Sequence, residues 1–418
     1  MVEKTKTLFC SFCNKSQNEV KKLIAGQDVY ICDGCTLLCY EILEDKPEAA
    51  DIAADDSIPS PRKIKEFLDN YIIGQDHAKM VFGVAVHNHY MRLEHPVVDG
   101  VELEKSNILL MGPTGSGKTL FAQSIARMLD VPFAIADATS LTEAGYVGDD
   151  VESIISRLLA AADGNIEKCE RGIIYLDEID KKAKKSENMS ITRDVSGEGV
   201  QQALLKIIEG SEVRVSPQGG RKNPSQEMTT VNTRNILFIV GGAFVGLEQI
   251  IEKRVDGSGS GIGFGAKVRS KDKLGNYTGS LLAQVTAEDL AKFGLIPELI
   301  GRLSTVAHLE ELTTDQLVQV LTEPKNAIAR QYEKMFKLNG IQLEFEDAAL
   351  SFIASSAKAN KVGARGLRNF IEKKLLKLQY DLPDHKTQGV EKVVLKEEFF
   401  SQDAPALLVV ENVPATGS

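Results

Sequence analysis

The chain has 418 residues, of which 43% are hydrophobic and 26% are charged, and its formal net charge is −10. Length and composition predict a globular protein of about two or three domains, and the acidic balance argues against broad nucleic-acid binding. Apolar runs of about 18 residues, which a membrane span needs, are absent from the sequence. The N-terminus, MVEKTKTLFC, has no apolar targeting segment, so we expect a cytoplasmic protein.

Composition and pattern divide the chain into four regions. Residues 1–46 contain most of the cysteines, and residues 47–61, PEAADIAADDSIPSP, have the composition of a flexible linker. Residues 62–312 alternate apolar strand-like runs with helical patterns, which predicts an α/β domain with a mostly parallel sheet. Residues 313–418 are predicted to form a mainly helical domain, with IQLEF as one strand and a frayed C-terminal tail.

Four cysteines near the N-terminus form two CxxC pairs. Cys10 and Cys13 make the first pair, Cys32 and Cys35 make the second, and eighteen residues separate the two. Two such pairs can supply four thiolates to a tetrahedral zinc ion, which stabilises a segment too short for a secure core of its own. A redox pair and a chance cluster are the alternatives. Because four thiolates leave no open coordination position, we predict a structural Zn²⁺ site without catalysis.

The segment SNILLMGPTGSGKTLFAQSIARML reads as an apolar strand, a glycine-rich loop and an amphipathic helix. Its loop matches the P-loop motif in full, and the strand before and helix after it argue against a chance match. Such a loop directs backbone N–H groups at phosphates, while its lysine adds a positive charge and its threonine hydroxyl ligates Mg²⁺. We therefore predict that ATP binds Gly112, Pro113, Thr114, Gly115, Ser116, Gly117, Lys118, Thr119 and Leu120.

A second apolar strand ends in acidic residues, as a P-loop protein requires. In RGIIYLDEIDKK, at residues 171–182, Asp177 is placed to orient Mg²⁺ and Glu178 to polarise the water that attacks the γ-phosphate. The alternative is that both carboxylates follow a buried strand and face solvent. Together the two acids favour ATP hydrolysis over simple nucleotide binding.

Further segments extend this pattern over nearly the whole chain: AGYVGDD, RDVSGEGVQQALLKIIEG, GIGFGA, LIPELIGRL and GARGLR. Combined with the cysteine pairs, GPTGSGKT and LDEID, they are far more specific than any single motif. On these motifs the chain resembles the Clp/HSP100 family of AAA+ ATPases, and in particular its unfoldases that feed the ClpP peptidase. The resemblance implies an AAA+ core with a small helical lid domain, and a ring, hexameric in the family, that binds ATP between neighbouring subunits.

The resemblance also assigns nucleotide-site residues outside the two contiguous motifs. Arg302, in PELIGRL, matches the arginine finger, whose planar cation stabilises charge on the γ-phosphate of a neighbouring subunit. Arg365, in VGARGLR, matches the sensor-2 arginine of the lid. Ile72 and Ile73, in NYIIGQDHAK, match the apolar residues that flank adenine. Without the resemblance, surface ion pairs and ordinary core packing are the simpler explanations.

Two departures from the family pattern are visible. The strand ILFIV is followed by Gly241 and Gly242, where many AAA+ proteins have a polar side chain, so no sensor-1 residue is assigned. In GGRKNP this chain has Asn223 where the family has histidine. The asparagine lacks the titratable imidazole that the family has in this loop at the channel mouth. Arg221 and Lys222 keep the charge that attracts an acidic tag.

Three other loops match loops that contact proteins in the family. AGYVGDD resembles the pore-1 loop, whose aromatic and aliphatic side chains grip an unfolded chain without reading its sequence. A turn whose tyrosine packs into its own domain is the alternative. RDVSGEGV resembles the pore-2 loop, and the glycine-rich DGSGSGIGFGA resembles the loop that docks on ClpP. The residues so assigned are Tyr146 and Val147 in pore-1, Arg193 and Val195 in pore-2, and Ile262, Gly263 and Phe264 in the docking loop.

The sequence thus predicts an ATP-dependent unfoldase and translocase that is not itself a protease. The resemblance further implies tagged or unfolded protein substrates, adaptor proteins that bind the zinc module, and the bacterial cytoplasm. A ring ATPase that tracks nucleic acid is one alternative, opposed by the net charge of −10 and the aromatic pore loop. A nucleotide-dependent remodelling scaffold that works without a peptidase is the other.

Overall fold

The protein is described by a computed structural model that covers residues 8–26, 29–37, 58–142, 149–184, 197–215, 228–255, 279, 281–360, 363–402 and 404–410. The chain separates into two compact units, residues 1–57 and residues 58–418. In the first unit, β1 (Leu23–Ala25) and β2 (Tyr30–Cys32) form an antiparallel pair, and residues 33–37 are helical.

The second unit alternates helices and strands over its first part and is mainly helical afterwards. Its helices are α1 (Pro61–Asp69), α2 (Asp76–Glu94), α3 (Lys118–Leu129), α4 (Ser153–Ala161), α5 (Ile166–Glu170), α6 (Glu198–Glu209), α7 (Leu247–Val255), α8 (Ala287–Phe293), α9 (Pro297–Arg302), α10 (Thr314–Thr322), α11 (Ile328–Leu338), α12 (Asp347–Ala359), α13 (Gly363–Tyr380), α14 (Leu382–Thr387) and α15 (Glu397–Ser401). Short 3₁₀ helices span Ala138–Ser140, Ile179–Lys182 and Thr233–Asn235.

The strands of the second unit form one central sheet and several smaller ones. They are β3 (Val97–Val98), β4 (Val101–Glu102), β5 (Ile108–Met111), β6 (Phe133–Asp137), β7 (Leu141–Thr142), β8 (Asp149–Asp150), β9 (Ile173–Asp177), β10 (Glu212–Val215), β11 (Thr229–Asn232), β12 (Leu237–Gly242), β13 (Thr305–His308), β14 (Gln342–Phe345), β15 (Val390–Leu395) and β16 (Leu407–Val410). The central sheet has the order β13-β5-β12-β9-β6, and all its neighbours are parallel. The predicted α/β fold with a parallel sheet is therefore confirmed.

Alternating residues of the central strands pack on opposite faces of the sheet. On β5, Leu109 and Met111 join one apolar cluster, while Ile108 and Leu110 join another. Both faces of the sheet are thus covered, as a parallel sheet with crossover helices requires. Parallel strands end at one edge, so the P-loop after β5 and the acids that end β9 are brought to the same edge of the sheet.

The C-terminal part has its own apolar core, built from α10 to α15 and a three-stranded sheet in the order β14-β15-β16. The segment IQLEF forms β14, as predicted, with alternate residues buried. Two strands that were not predicted complete this sheet: β15 pairs with β14 in parallel and with β16 in antiparallel orientation.

A buried histidine lies on α2, beneath the central sheet. His89 is 2% exposed, and neither ring nitrogen makes a hydrogen bond of normal geometry to a described residue. Burial lowers the pKa of His89 to about 3; the nearby cations Arg92 and Lys105 act in the same direction, and the backbone carbonyl of Asn235 opposes them. The histidine is therefore neutral in the folded protein at neutral pH.

We expect His89 to make the fold less stable in mild acid. Below its ordinary pKa of 6.5 the unfolded chain binds a proton that the folded chain does not, so stability is complete above pH 6.5 and declines as the pH falls. Between pH 6.5 and pH 5 the loss through this residue is about 1.5 kcal/mol. Urea denaturation at the two pH values measures it: His89→Phe should reduce the difference by that amount, whereas His95→Gln, at an exposed position of the same region, should not. An unchanged difference in His89→Phe would contradict the assignment.

Candidate nucleotide-binding site and four-cysteine site

The P-loop connects β5 to α3, and Lys118 is the first residue of that helix. The loop is closely packed from below: a Cβ at Gly112 would lie 2.8 Å from Cβ of Leu309 and 2.9 Å from its carbonyl oxygen. Only glycine fits at this position. The amino end of α3 is thereby held at the edge of the sheet, where its free N–H groups and helix dipole suit a phosphate.

The side chain of Lys118 is folded against the loop that carries it. It is 8% exposed, and its Nζ donates hydrogen bonds to the carbonyl oxygens of Gly112 (2.7 Å) and Pro113 (3.0 Å). Burial lowers the pKa of Lys118, and the carboxylates of Asp177, Asp180 and Glu178 oppose that shift. A largely buried ammonium that, among the described residues, donates hydrogen bonds to neutral carbonyl oxygens is well suited to bind an anionic phosphate group.

The acids that end β9 meet the start of α3. The hydroxyl of Thr119 donates to Oδ2 of Asp177 at 3.4 Å, while Oδ1 of Asp177 accepts from the Tyr175 hydroxyl (3.0 Å) and the Glu178 backbone N–H (2.9 Å). Hydroxyl and carboxylate oxygens side by side are the ligand types that Mg²⁺ prefers, so these residues fit the predicted ion.

Glu178 has an unusual backbone conformation. Its φ of 57° and ψ of 34° lie in the left-handed region, which a non-glycine residue adopts at a cost of about 1 to 3 kcal/mol. The side chain of Glu178 is exposed. Glu178 directly follows Asp177, whose carboxylate is the predicted Mg²⁺ ligand. Strain of this kind is concentrated at functional sites and is consistent with a carboxylate held in place for a reaction.

Tyr175 is a site residue that the sequence alone did not reveal. Burial and the charge of Asp177 raise the pKa of its hydroxyl, which stays a proton donor to Asp177. A Cβ at Gly241 would lie 2.3 Å from that hydroxyl, and a Cβ at Gly242 would lie 2.8 Å from Oδ1 of Asp180. Gly241 therefore makes room for the Tyr175 hydroxyl, and Gly242 makes room for the Phe244 ring and the Asp180 carboxylate. Nothing in the separate segments IIYLD and IVGG indicates this contact.

The lid touches the P-loop within the same subunit. The Ala364 backbone N–H donates to the carbonyl oxygen of Gly115 at 3.3 Å. Gly363 has φ of +56°, and a Cβ there would lie 3.1 Å from the carbonyl oxygen of Thr114. Arg365 follows on the first turn of α13 and is exposed. The amino end of α13 is thus joined directly to the loop predicted to bind phosphate.

The segment predicted to flank adenine lies between the core and the lid. Ile72 is 5% exposed and packs in the apolar cluster below the sheet, whereas Ile73 is half-buried. The Lys325 backbone N–H, between two lid helices, donates to the carbonyl oxygen of Asn70 at 2.9 Å. Ile72 is therefore mainly a core residue, and Ile73 is the more accessible of the two.

Arg302 ends α9 and is paired within its own subunit. Its Nε donates to Oε1 of Glu209 at 2.8 Å, and its side chain is 55% exposed. The Asn107 side chain donates to its backbone carbonyl at 3.0 Å, which anchors the end of α9 next to β5.

The residues predicted to contact proteins lie outside the described residues. These are Tyr146, Val147, Arg193, Val195, Arg221, Lys222, Ile262, Gly263 and Phe264. The two sides of the first of these loops are brought together, because β7 and β8 pair in parallel, Leu141 with Asp149 and Thr142 with Asp150.

The four cysteines of the first unit are gathered at one point. Their sulfur atoms all lie within 4.8 Å of one another, with 3.9 Å between Sγ of Cys10 and Cys35 and 3.6 Å between Sγ of Cys13 and Cys32. A tetrahedral zinc ion with sulfur ligands at about 2.3 Å places its sulfurs about 3.8 Å apart. The geometry therefore fits Zn²⁺, to which the four cysteines would supply four sulfur ligands.

Three family models match the chain, one after another. The model of the ClpX C4-type zinc finger matches residues 8–45, and that of the AAA domain (Cdc48 subfamily) matches residues 103–306. The model of the C-terminal, D2-small domain of ClpB protein matches residues 312–388. These matches include the four cysteines, the P-loop, both acids after β9, and the arginines at 302 and 365. Among the helices of the described ranges, none is both long and apolar enough to cross a membrane.

Proposed function

Since this chain belongs to the Clp/HSP100 family of AAA+ ATPases, with a zinc finger of the ClpX type, we propose that it is an ATP-driven protein unfoldase and translocase. It forms a hexameric ring, pulls tagged or unfolded proteins through the central channel and delivers them to the ClpP peptidase. The observation that carries the proposal is the combination, in one chain, of a ClpX C4-type zinc finger with an AAA domain and a lid.

The nucleotide chemistry rests on residues at the edge of the central sheet. In this proposal Lys118 binds the β- and γ-phosphates, and the oxygens of Thr119 and Asp177 hold Mg²⁺, which when bound neutralises phosphate charge. Glu178 accepts a hydrogen bond from the attacking water and polarises it. Arg302 reaches ATP bound in a neighbouring subunit and stabilises the charge that develops on the γ-phosphate.

Lid motion is the proposed link between hydrolysis and pulling. The contact between α13 and the P-loop supports this link, because a movement of the P-loop when the phosphates change would displace Gly363 and Ala364, which contact it. Arg365 senses the nucleotide from the lid, and Ile73, with Ile72 behind it, borders the adenine. The residues that then contact proteins are Tyr146, Val147, Arg193 and Val195 for pulling, Arg221 and Lys222 for acidic tags, and Ile262, Gly263 and Phe264 for ClpP.

The first unit serves recognition in this proposal. Its four-cysteine site has no open position for chemistry, and it carries exposed apolar side chains, Phe12 and Ile24 among them. We propose that adaptor proteins or substrates bind there, tethered to the ring by the acidic linker, and that the protein works in the bacterial cytoplasm.

Unfolding of a stable tagged fluorescent protein tests the proposal. Tyr146→Ala should slow ATP-dependent unfolding about five- to tenfold, since one aromatic contact is worth about 1 kcal/mol. ATP hydrolysis, followed in the same tubes, should continue. Tyr146→Phe, which keeps the aromatic face, should unfold at the normal rate. Equal unfolding by wild type and Tyr146→Ala would contradict the role of this loop.

One rival function, a nucleic-acid motor, is tested by measuring which polymer stimulates ATP hydrolysis. A nucleic-acid motor should show ATPase activity stimulated by DNA and not by unfolded protein, whereas an unfoldase should show the reverse. The net charge of −10 and the aromatic residue in the pore-1 loop argue against this rival.

A further inference from the structure

Helix α6 lies beside α9, the short helix that ends at Arg302. Both helices contribute to one apolar cluster, with Leu204 and Ile208 from α6 and Leu299 and Leu303 from α9 and its end. The two helices are also joined by hydrogen bonds near each end, which apolar packing alone does not provide.

The first junction is made by Gln201, whose side chain is fully buried. Its Nε2 donates to the carbonyl oxygens of Lys182 (2.8 Å) and Gly294 (3.2 Å), and its Oε1 accepts from the Ile296 backbone N–H at 2.8 Å. Ile296 immediately precedes α9, and Lys182 ends the 3₁₀ helix that follows Glu178. One side chain therefore fixes the start of α9 to α6 and to the segment after the catalytic carboxylate.

The second junction is made by Glu209 at the last residue of α6. Its Oε1 accepts from Nε of Arg302 at 2.8 Å. The two terminal nitrogens of Arg302 make no hydrogen bond to any residue that the structure describes. A planar guanidinium held by Nε has its orientation set while its terminal fork remains available for another anion.

Stability is a weak explanation for this pair. The side chains of Arg302 and Glu209 are 55% and 39% exposed, and ion pairs at such positions contribute little to the folded state because water and salt screen them. Orientation of the guanidinium is the more specific consequence of a contact made through Nε.

We infer that Glu209 is a positioning residue for ATP hydrolysis: it orients Arg302 so that both terminal nitrogens meet the γ-phosphate of ATP in a neighbouring subunit. The inference rests on the proposed role of Arg302 as the arginine finger. Gln201 completes the arrangement, because it ties the helix that carries Arg302 to the segment behind Glu178 of the same subunit. The position of Arg302 is thereby linked to the segment that follows Glu178 in the same subunit.

Steady-state ATP hydrolysis by the full-length protein tests the role of Glu209. Glu209→Ala should lower kcat about five- to tenfold and change KM for ATP less than twofold, because the contact acts on the transition state. Glu209→Gln keeps a carbonyl oxygen for Nε and should recover at least half of the wild-type kcat. The control is Glu94→Ala, which should keep the wild-type kcat: it removes another exposed glutamate–arginine ion pair, with Arg171, and the side chain of Glu94 is 43% exposed against 39% for Glu209.

Arg302→Ala, measured in parallel, separates the inference from its premise. If Arg302→Ala hydrolyses ATP normally, the arginine-finger assignment fails and the inference fails with it. If Arg302→Ala is inactive but Glu209→Ala keeps the wild-type kcat, only the positioning role is overturned. Sedimentation of Glu209→Ala checks ring assembly. The positioning role is also overturned if this variant loses ring assembly together with kcat and Glu209→Gln does not restore kcat. The double variant should be no slower than Arg302→Ala alone.

Discussion

Replacing Glu178 by glutamine is expected to lower ATP hydrolysis at least about a hundredfold while ATP still binds, since a positioned general base contributes about 10² to 10⁴ in rate. Glutamine has the same shape but cannot accept the proton of the attacking water. The backbone hydrogen bond from residue 178 to Asp177 is independent of the side chain. Thr119 and Asp177, the predicted Mg²⁺ ligands, should therefore stay in place. The variant should bind ATP without hydrolysing it.

Phosphate release and retention of labelled ATP, measured together, check this expectation. Glu167→Gln is the matched control, because Glu167 is an exposed carboxylate on α5 and has no assigned role. Substrate handling decides between function classes: a motor should lose unfolding in Glu178→Gln, whereas a nucleotide-dependent scaffold should keep its output. Hydrolysis at the wild-type rate would remove Glu178 from the mechanism.

Gly363→Val is expected to lower kcat/KM for ATP between about tenfold and a hundredfold. Valine is strongly disfavoured at φ of +56°, and its side chain would meet the carbonyl oxygen of Thr114, only 3.1 Å from the position of Cβ. A cost of about 1 to 3 kcal/mol at this point moves the amino end of α13 off the P-loop. Arg365 would be displaced with it.

Gly246→Val separates the two causes. Gly246 also has a positive φ, +98°, but a Cβ there meets no atom within 4 Å, so this variant carries backbone strain without a clash at the P-loop. We expect it to hydrolyse ATP within about twofold of wild type. Equal losses in the two variants would mean that strain alone, rather than contact between lid and P-loop, lowers the activity. Wild-type activity in Gly363→Val would show that the contact is dispensable.

Much of the candidate site was predictable from contiguous residues. The P-loop, the acids after β9 and the paired cysteines each lie within a few residues of their partners, so spacing along the chain already specifies their chemistry. The parallel sheet followed from apolar runs separated by helical patterns. Residues such as Arg302 and Arg365 carry no such local signal, and their assignment came from resemblance to a family.

Other features depend on contacts between segments far apart in the chain, and these only the tertiary structure decided. The strand order puts β12 beside β9, which is why Gly241 leaves room for the Tyr175 hydroxyl. The fold of the lid brings Gly363 onto the P-loop, and the packing of α6 on α9 joins Glu209 to Arg302 across 93 positions. The sequence by itself therefore determined which chemical groups are present and where we predict that nucleotide and metal bind. Which residues support those groups was decided by packing, because a hydrogen bond forms only where the fold brings its donor and acceptor within reach.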